Sequence, residues 1–236
     1  MEKYQDFLRR IGEFELPDMD LGKNYFKGRP SLADKIDGDN KMRDFFGDTI
    51  VFELTDEEKR IVGSIIDKVY EEAPNCFAER LNNATLHMTL HDLSNSPRLS
   101  DVEEEMEKNK KSITDNARRL SHTTIRMKSK FVFNMVNTSL VLGLVPVNEE
   151  EFTKLMGLWG VIDEIKKSPY PLTPHITLGY YNVHGFAHED AKKLEKIVGR
   201  INRQEPTYMT LDTERLFYQR FTGMNHYENA LCLNGK

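Results

Sequence analysis

Residues 84–93 read ATLHMTLHDL and residues 170–181 read YPLTPHITLGYY. Both alternate apolar and polar residues, the pattern of a strand with one covered face. In each, a histidine is followed two places later by a threonine: His87 and Thr89, then His175 and Thr177, 88 residues further on. Residues two apart on a strand share a face, so each histidine projects beside its threonine. Met88, Ile176 and the flanking leucines project to the other side.

The surroundings of the two stretches also match. GDTIVFEL (47–54) is β-branched and reads as a strand, and TDEEKRIVGSIIDKVYEEA (55–73) reads as a helix. Thr55 with Glu58 three places on is a capping-box pattern, and Ile61, Ile65, Ile66 and Val69 recur at helical spacing. In the second half NTSLVLGLVPV (137–147) is a strand, and NEEEFTKLMGLWGVIDEIKKS (148–168) is a helix capped by Asn148, with Trp159 and Met156 in its core. A charged helix (98–120) and a strand (122–133) follow the first motif; a helix (189–202) and strands (207–212, 214–221) follow the second. The order strand, helix, His-Thr strand, helix, strand therefore occurs twice, with 38 residues from Thr49 to His87 and 37 from Thr138 to His175.

The expected fold is α+β: a bilobal duplication of two small antiparallel-sheet modules, helices on the outer faces and a cleft between them. Residues 1–45 form an N-terminal extension, 46–134 the first lobe and 135–236 the second. Within the extension, EKYQDFLRRIGEF (2–14) predicts an amphipathic helix with Tyr4, Phe7, Leu8 and Ile11 on one side, and the stretch after it is turn-rich.

If helices cover the apolar faces, the two His/Thr faces line the cleft, placing two imidazoles and two hydroxyls around one point. That set suits a phosphodiester. Histidine titrates near neutral pH, so one imidazole can accept a proton from the attacking oxygen while the other protonates the departing one. The hydroxyls of Thr89 and Thr177 can donate to non-bridging oxygens as charge builds on phosphorus. This chemistry calls for no metal and no cofactor. A third His-x-Thr, His122-Thr123-Thr124, has a polar middle residue and no strand-helix unit before it, and is set aside.

Thr124, Arg126, Lys128 and Lys130 share one strand face, from which Arg126 and Lys128 are expected to reach into the cleft and hold phosphate. Tyr181, placed on the His175 face, is expected to stack on a base. His91 reads as a hydrogen-bonded structural histidine, and His184 and His188, with Gly185 between them, as a polar loop rather than a metal site.

The chain holds 236 residues, 39% hydrophobic and 30% charged, which suffices for a real core. A formal net charge of −5 argues against a binder of long nucleic acid and leaves room for a small nucleotide or RNA end at a locally basic pocket. No apolar run approaches the roughly 20 residues a membrane span needs. The first residues lack the apolar block of a secretory signal. Two cysteines, Cys76 and Cys232, fit a reducing cytoplasm.

HMTL and HITL, with their strand-helix lead-ins, resemble the motifs of the two-histidine (2H) phosphoesterase superfamily, which includes 2′–5′ RNA ligase-like proteins and cyclic phosphodiesterases. YPLTPHITLGYY resembles its second motif closely, and ERLFYQRFTGMNHYENALCL (214–233) resembles its closing strands. The likeness covers about residues 46–233. It implies a bilobal fold, catalysis by His87, Thr89, His175 and Thr177, and activity on 2′,3′-cyclic or 2′–5′ phosphodiesters. A module that binds a nucleotide or RNA end without turning it over is the alternative.

Overall fold

Two antiparallel four-stranded sheets meet along their edge strands in the computed structural model, which describes residues 2–15 and 25–234. The turn-rich stretch at 16–24 lies outside the described residues. The first sheet has the order β10-β9-β2-β3, from β2 (Phe46–Glu53), β3 (His87–Ser96), β9 (Leu216–Gly223) and β10 (His226–Cys232). The second has the order β6-β5-β4-β8, from β4 (Thr124–Met135), β5 (Ser139–Pro146), β6 (His175–Tyr180) and β8 (Tyr208–Asp212). The repeat is thus present as β2-α2-β3-α3-β4 and β5-α4-β6-α5-β8, with α2 (Asp56–Glu72), α3 (Glu103–Asn116), α4 (Glu149–Ile165) and α5 (His188–Ile201).

The strands assort differently from a boundary at residue 134. Strand β4 pairs with β5 and β8 in the second sheet, and β9 pairs with β2 in the first. Each half of the chain therefore lends strands to the other's sheet. The reason is local: β4 and β5 are joined by the three-residue turn Val136–Thr138, with Val136 and Asn137 at positive φ, which forces them into one hairpin.

The helices begin where their capping residues stand. Thr55 accepts from the Glu58 backbone N–H, and the Glu58 carboxylate accepts in return from the Thr55 N–H, completing the capping box. Asn148 caps α4 through the Glu151 N–H. Strand β3 starts later than the alternation suggests, because Asn82 caps a short 3₁₀ turn over Asn83–Thr85. Helices α2 and α5 pack together, reaching β6 and β4; α3 and α4 pack together, α3 against β2 and β3 and α4 against β3, β4 and β5. The leucine faces of the motif strands point into these layers, with Met88, Leu90, Ile176 and Leu178 at most 1% exposed.

The extension is integral to this architecture. Helix α1 (Tyr4–Gly12) presents Phe7 and Ile11 to the core, and the rings of Tyr4 and Phe7 lie 5.4 and 5.1 Å from that of Phe152 on α4. The chain then runs as a strap. Strand β1 (Tyr25–Phe26) pairs with β7 (Phe186–Ala187) beside the second lobe, and Phe26 is buried against Tyr181 and Phe186. The Arg29 N–H donates to the Asn137 carbonyl at the β4–β5 turn. Further on, the Met42 N–H donates to Glu79 and the Phe45 N–H to the Thr222 carbonyl, which ties the strap to the first lobe. Substituting Phe7 with alanine is expected to cost about 3–5 kcal/mol, read as a lower denaturant midpoint in a single unfolding transition. A separate early transition for α1 would show that it folds apart from the lobes.

Candidate active site

The edge strands β3 and β6 lie against each other, and the polar faces of both open into one cavity of about 590 Å³. His87, Thr89, His175 and Thr177 all line it. The two histidines are held in the same way. His87 Nδ1 lies 2.7 Å from the Thr85 carbonyl, and His175 Nδ1 lies 2.7 Å from the Thr173 carbonyl. A carbonyl can only accept, so Nδ1 carries the proton in each ring and Nε2 of the neutral imidazole is left as an acceptor. Burial pushes both imidazoles below the ordinary histidine value, opposed by these carbonyls and by the Asp92 carboxylate. His87 also feels His175, as expected for imidazoles sharing one space.

The repeat extends to an irregularity that alternation does not show. In β3 the register steps from Thr89↔Val51 to His91↔Ile50, and in β6 from Thr177↔Val141 to Gly179↔Leu140. Leu90 and Leu178 are the extra residues of two β-bulges at matching positions. Each bulge shifts the side-chain parity by one. Beyond it, Asp92 and Tyr180 take the cleft side, each five residues after its histidine. His91 turns to the helices and is buried, its Nε2 3.5 Å from Asp163 of α4.

The same shift corrects the expectation for Tyr181. It is not in the cleft; it is fully buried between Phe26, Phe77 and Phe186, and no partner meets its hydroxyl among the described residues. Tyr180 stands where Tyr181 was expected. Arg126 and Lys128 also lie outside the cavity lining. They sit at the β8-paired end of β4, beside the start of α4, whereas the cavity meets the opposite end at Met135. There the buried Glu151 carboxylate accepts from both the backbone N–H and the guanidinium of Arg126, each at 3.0 Å. His122 of the third His-x-Thr pairs with Asp212 on the surface, and His184 Nε2 meets the Gly38 carbonyl.

The cations of the cavity come instead from the extension. Among the described residues, Arg10, Arg29 and Lys35 line it against a single carboxylate, Asp92, which makes this lining locally basic in an acidic chain. Arg10 is committed to structure: it donates to both oxygens of Glu2, to the Leu172 carbonyl and to the Thr173 hydroxyl. It thereby pins the loop whose Thr173 carbonyl orients His175. Asp92 accepts from the Tyr170 hydroxyl at 2.8 Å. Trp159, Tyr170 and Phe14 add apolar wall. Sequence reasoning missed Lys35 and Arg29 because nothing local in a turn-rich stretch says which cleft it crosses.

Among solved structures, ATU0111, a conserved protein of unknown function from Agrobacterium tumefaciens, superposes with a TM-score of 0.62 at 14% identity, covering 94% of this chain and 99% of that chain. That coverage takes in most of the extension. E. coli LigT complexed with 3′-AMP superposes with a TM-score of 0.50 at 14% identity, covering 79% of this chain and 96% of that chain. No family model and no curated protein matches the sequence. The chain therefore has the fold shared by ATU0111 and E. coli LigT.

Proposed function

We propose that the chain is a phosphodiesterase that hydrolyses 2′,3′-cyclic or 2′–5′ phosphodiesters of a small nucleotide or RNA end. One observation carries this reading: two histidines with the same Nδ1-to-carbonyl anchor share one basic cavity with two threonines. The volume of about 590 Å³ falls in the range of small-ligand sites. LigT was crystallised with 3′-AMP, which supports a nucleotide ligand.

In the proposed reaction, Nε2 of one histidine takes a proton from water as its oxygen bonds to phosphorus. The P–O bond to the leaving oxygen breaks, and the imidazolium of the other histidine gives that oxygen its proton. Water is added across one ester bond, and solvent exchange returns both rings to their starting states. Thr89 and Thr177 donate to the non-bridging oxygens, stabilising the five-coordinate phosphorus where water is scarce.

In excess chelator, purified protein is expected to open a 2′,3′-cyclic or cleave a 2′–5′ diester. His87→Ala or His175→Ala should lower kcat by roughly 10²–10⁴-fold. Full turnover in both variants would remove them from catalysis, and tight binding of intact diester by the wild type would mark a binding module. Lys128→Ala and Tyr181→Phe, outside the cavity, should turn over as wild type does.

The pH profile is a second test. With both free-enzyme imidazoles below about 6.5, the state with one ring protonated and one neutral is most populated on the acid side. The kcat/KM optimum should therefore lie below neutrality. A bound phosphate anion favours imidazolium, so the kcat profile should sit at higher pH than the kcat/KM profile. Coincident profiles centred above neutrality would contradict this assignment.

A further inference from the structure

We propose that Lys35 binds the substrate phosphate, so that the strap, outside both histidine strands, supplies the cation of the site. The proposal rests on the two-histidine reading above. Lys35 Nζ stands 5.1 Å from the ring centre of Phe45 and 5.3 Å from that of Tyr180. Tyr180 is the residue that the β6 bulge brings to the face of His175 and Thr177. Lys35 therefore points into the reacting region rather than out along the strap.

Among the described residues the one carboxylate bordering the same cavity is Asp92, and it accepts instead from the Tyr170 hydroxyl. No carboxylate pairs with Lys35 among the described residues, whereas Arg10, Arg126 and Lys154 each have one. The side chain is half-buried, so its ammonium has lost part of its water. Two ring faces return only part of that hydration. An anion with accessible oxygens would complete the set. Arg10 cannot serve, since its guanidinium is spent on Glu2 and the 172–173 loop, and Arg29 is exposed at the rim.

The backbone also holds Lys35 in place. Its N–H donates to the Leu32 carbonyl at 3.0 Å and its carbonyl accepts from Arg43 at 2.8 Å, with Leu32 and Ile36 buried on either side. A positioned charge loses less freedom on binding than one on a mobile loop. A lysine ammonium, a compact point charge with three donors, suits a single non-bridging oxygen. Its field reaches His175, whose protonation it opposes. That closeness is what a cation on the same phosphate requires.

The test uses the full chain with Lys35→Met, which keeps the aliphatic stem, and Lys35→Arg, which keeps the charge. Calorimetry with 3′-AMP, inorganic phosphate and adenosine is paired with diester turnover and a melting curve. Lys35→Met should weaken 3′-AMP and phosphate by about tenfold or more, leave adenosine unchanged, and place the larger part of its kinetic loss in KM. Lys35→Arg should recover most of the affinity. If Lys35→Met binds 3′-AMP and phosphate like wild type, the proposal fails, and a lower melting temperature would then assign Lys35 to packing against Phe45 and Tyr180. Wild-type protein that cleaves diester while Lys35→Met is unaffected overturns the lysine alone. Wild-type protein that neither cleaves diester nor binds these anions overturns the two-histidine reading with it.

Discussion

The contact between β3 and β6 is the constraint on which the cleft depends. Each is the outer strand of its sheet, and an outer strand has one side without a ladder partner. Here the two edges face each other, and helices bury the leucine sides of both. The polar sides are then confined to a shared space. His87 and His175 need no long loops to meet; a residue on either edge strand is already near the other lobe. The carbonyls of Thr85 and Thr173, in the segments leading into the strands, complete the arrangement by fixing each ring's tautomer.

Much of this was legible in the letters. Thr55 with Glu58 and Asn148 with Glu151 mark helix starts that the structure honours, because capping is a local hydrogen-bond problem. The motif alternation places the strand faces correctly as far as each threonine. It fails beyond, because a bulge inserts one residue without changing composition, so Tyr180 and Tyr181 exchange places. The expectation for Arg126 failed for another reason. Parity says which face a side chain takes but not what stands over that face, and Glu151 arrives from a different helix. The contribution of residues 25–45 was illegible because it depends wholly on tertiary contacts.

The extension changes how the lobes are to be regarded. Helix α1 holds α4 and, through Arg10, the loop before β6, while the strap joins the β4–β5 turn to Glu79 and Thr222. Those bonds cross between the halves of the duplication. A cleft between two hinged bodies would gain freedom to open; one bridged in this way keeps its walls at a set spacing. The pseudo-repeat thus places the two His-Thr pairs symmetrically, and the extension breaks the symmetry by bringing Arg10, Arg29 and Lys35 to the cavity.

The position of β9 bears on how the chain reaches this state. Strand β2 is internal to its sheet only because β9 lies beside it, with Val51 opposite Phe217 across most of the sequence. Until that late segment is available, β2 and β3 form a two-stranded ribbon, marginal by itself in water. Closing so long a loop costs entropy before any ladder bond repays it. The first histidine strand, although made early, should gain its final rigidity among the last events of folding, after the second motif has already paired with β5.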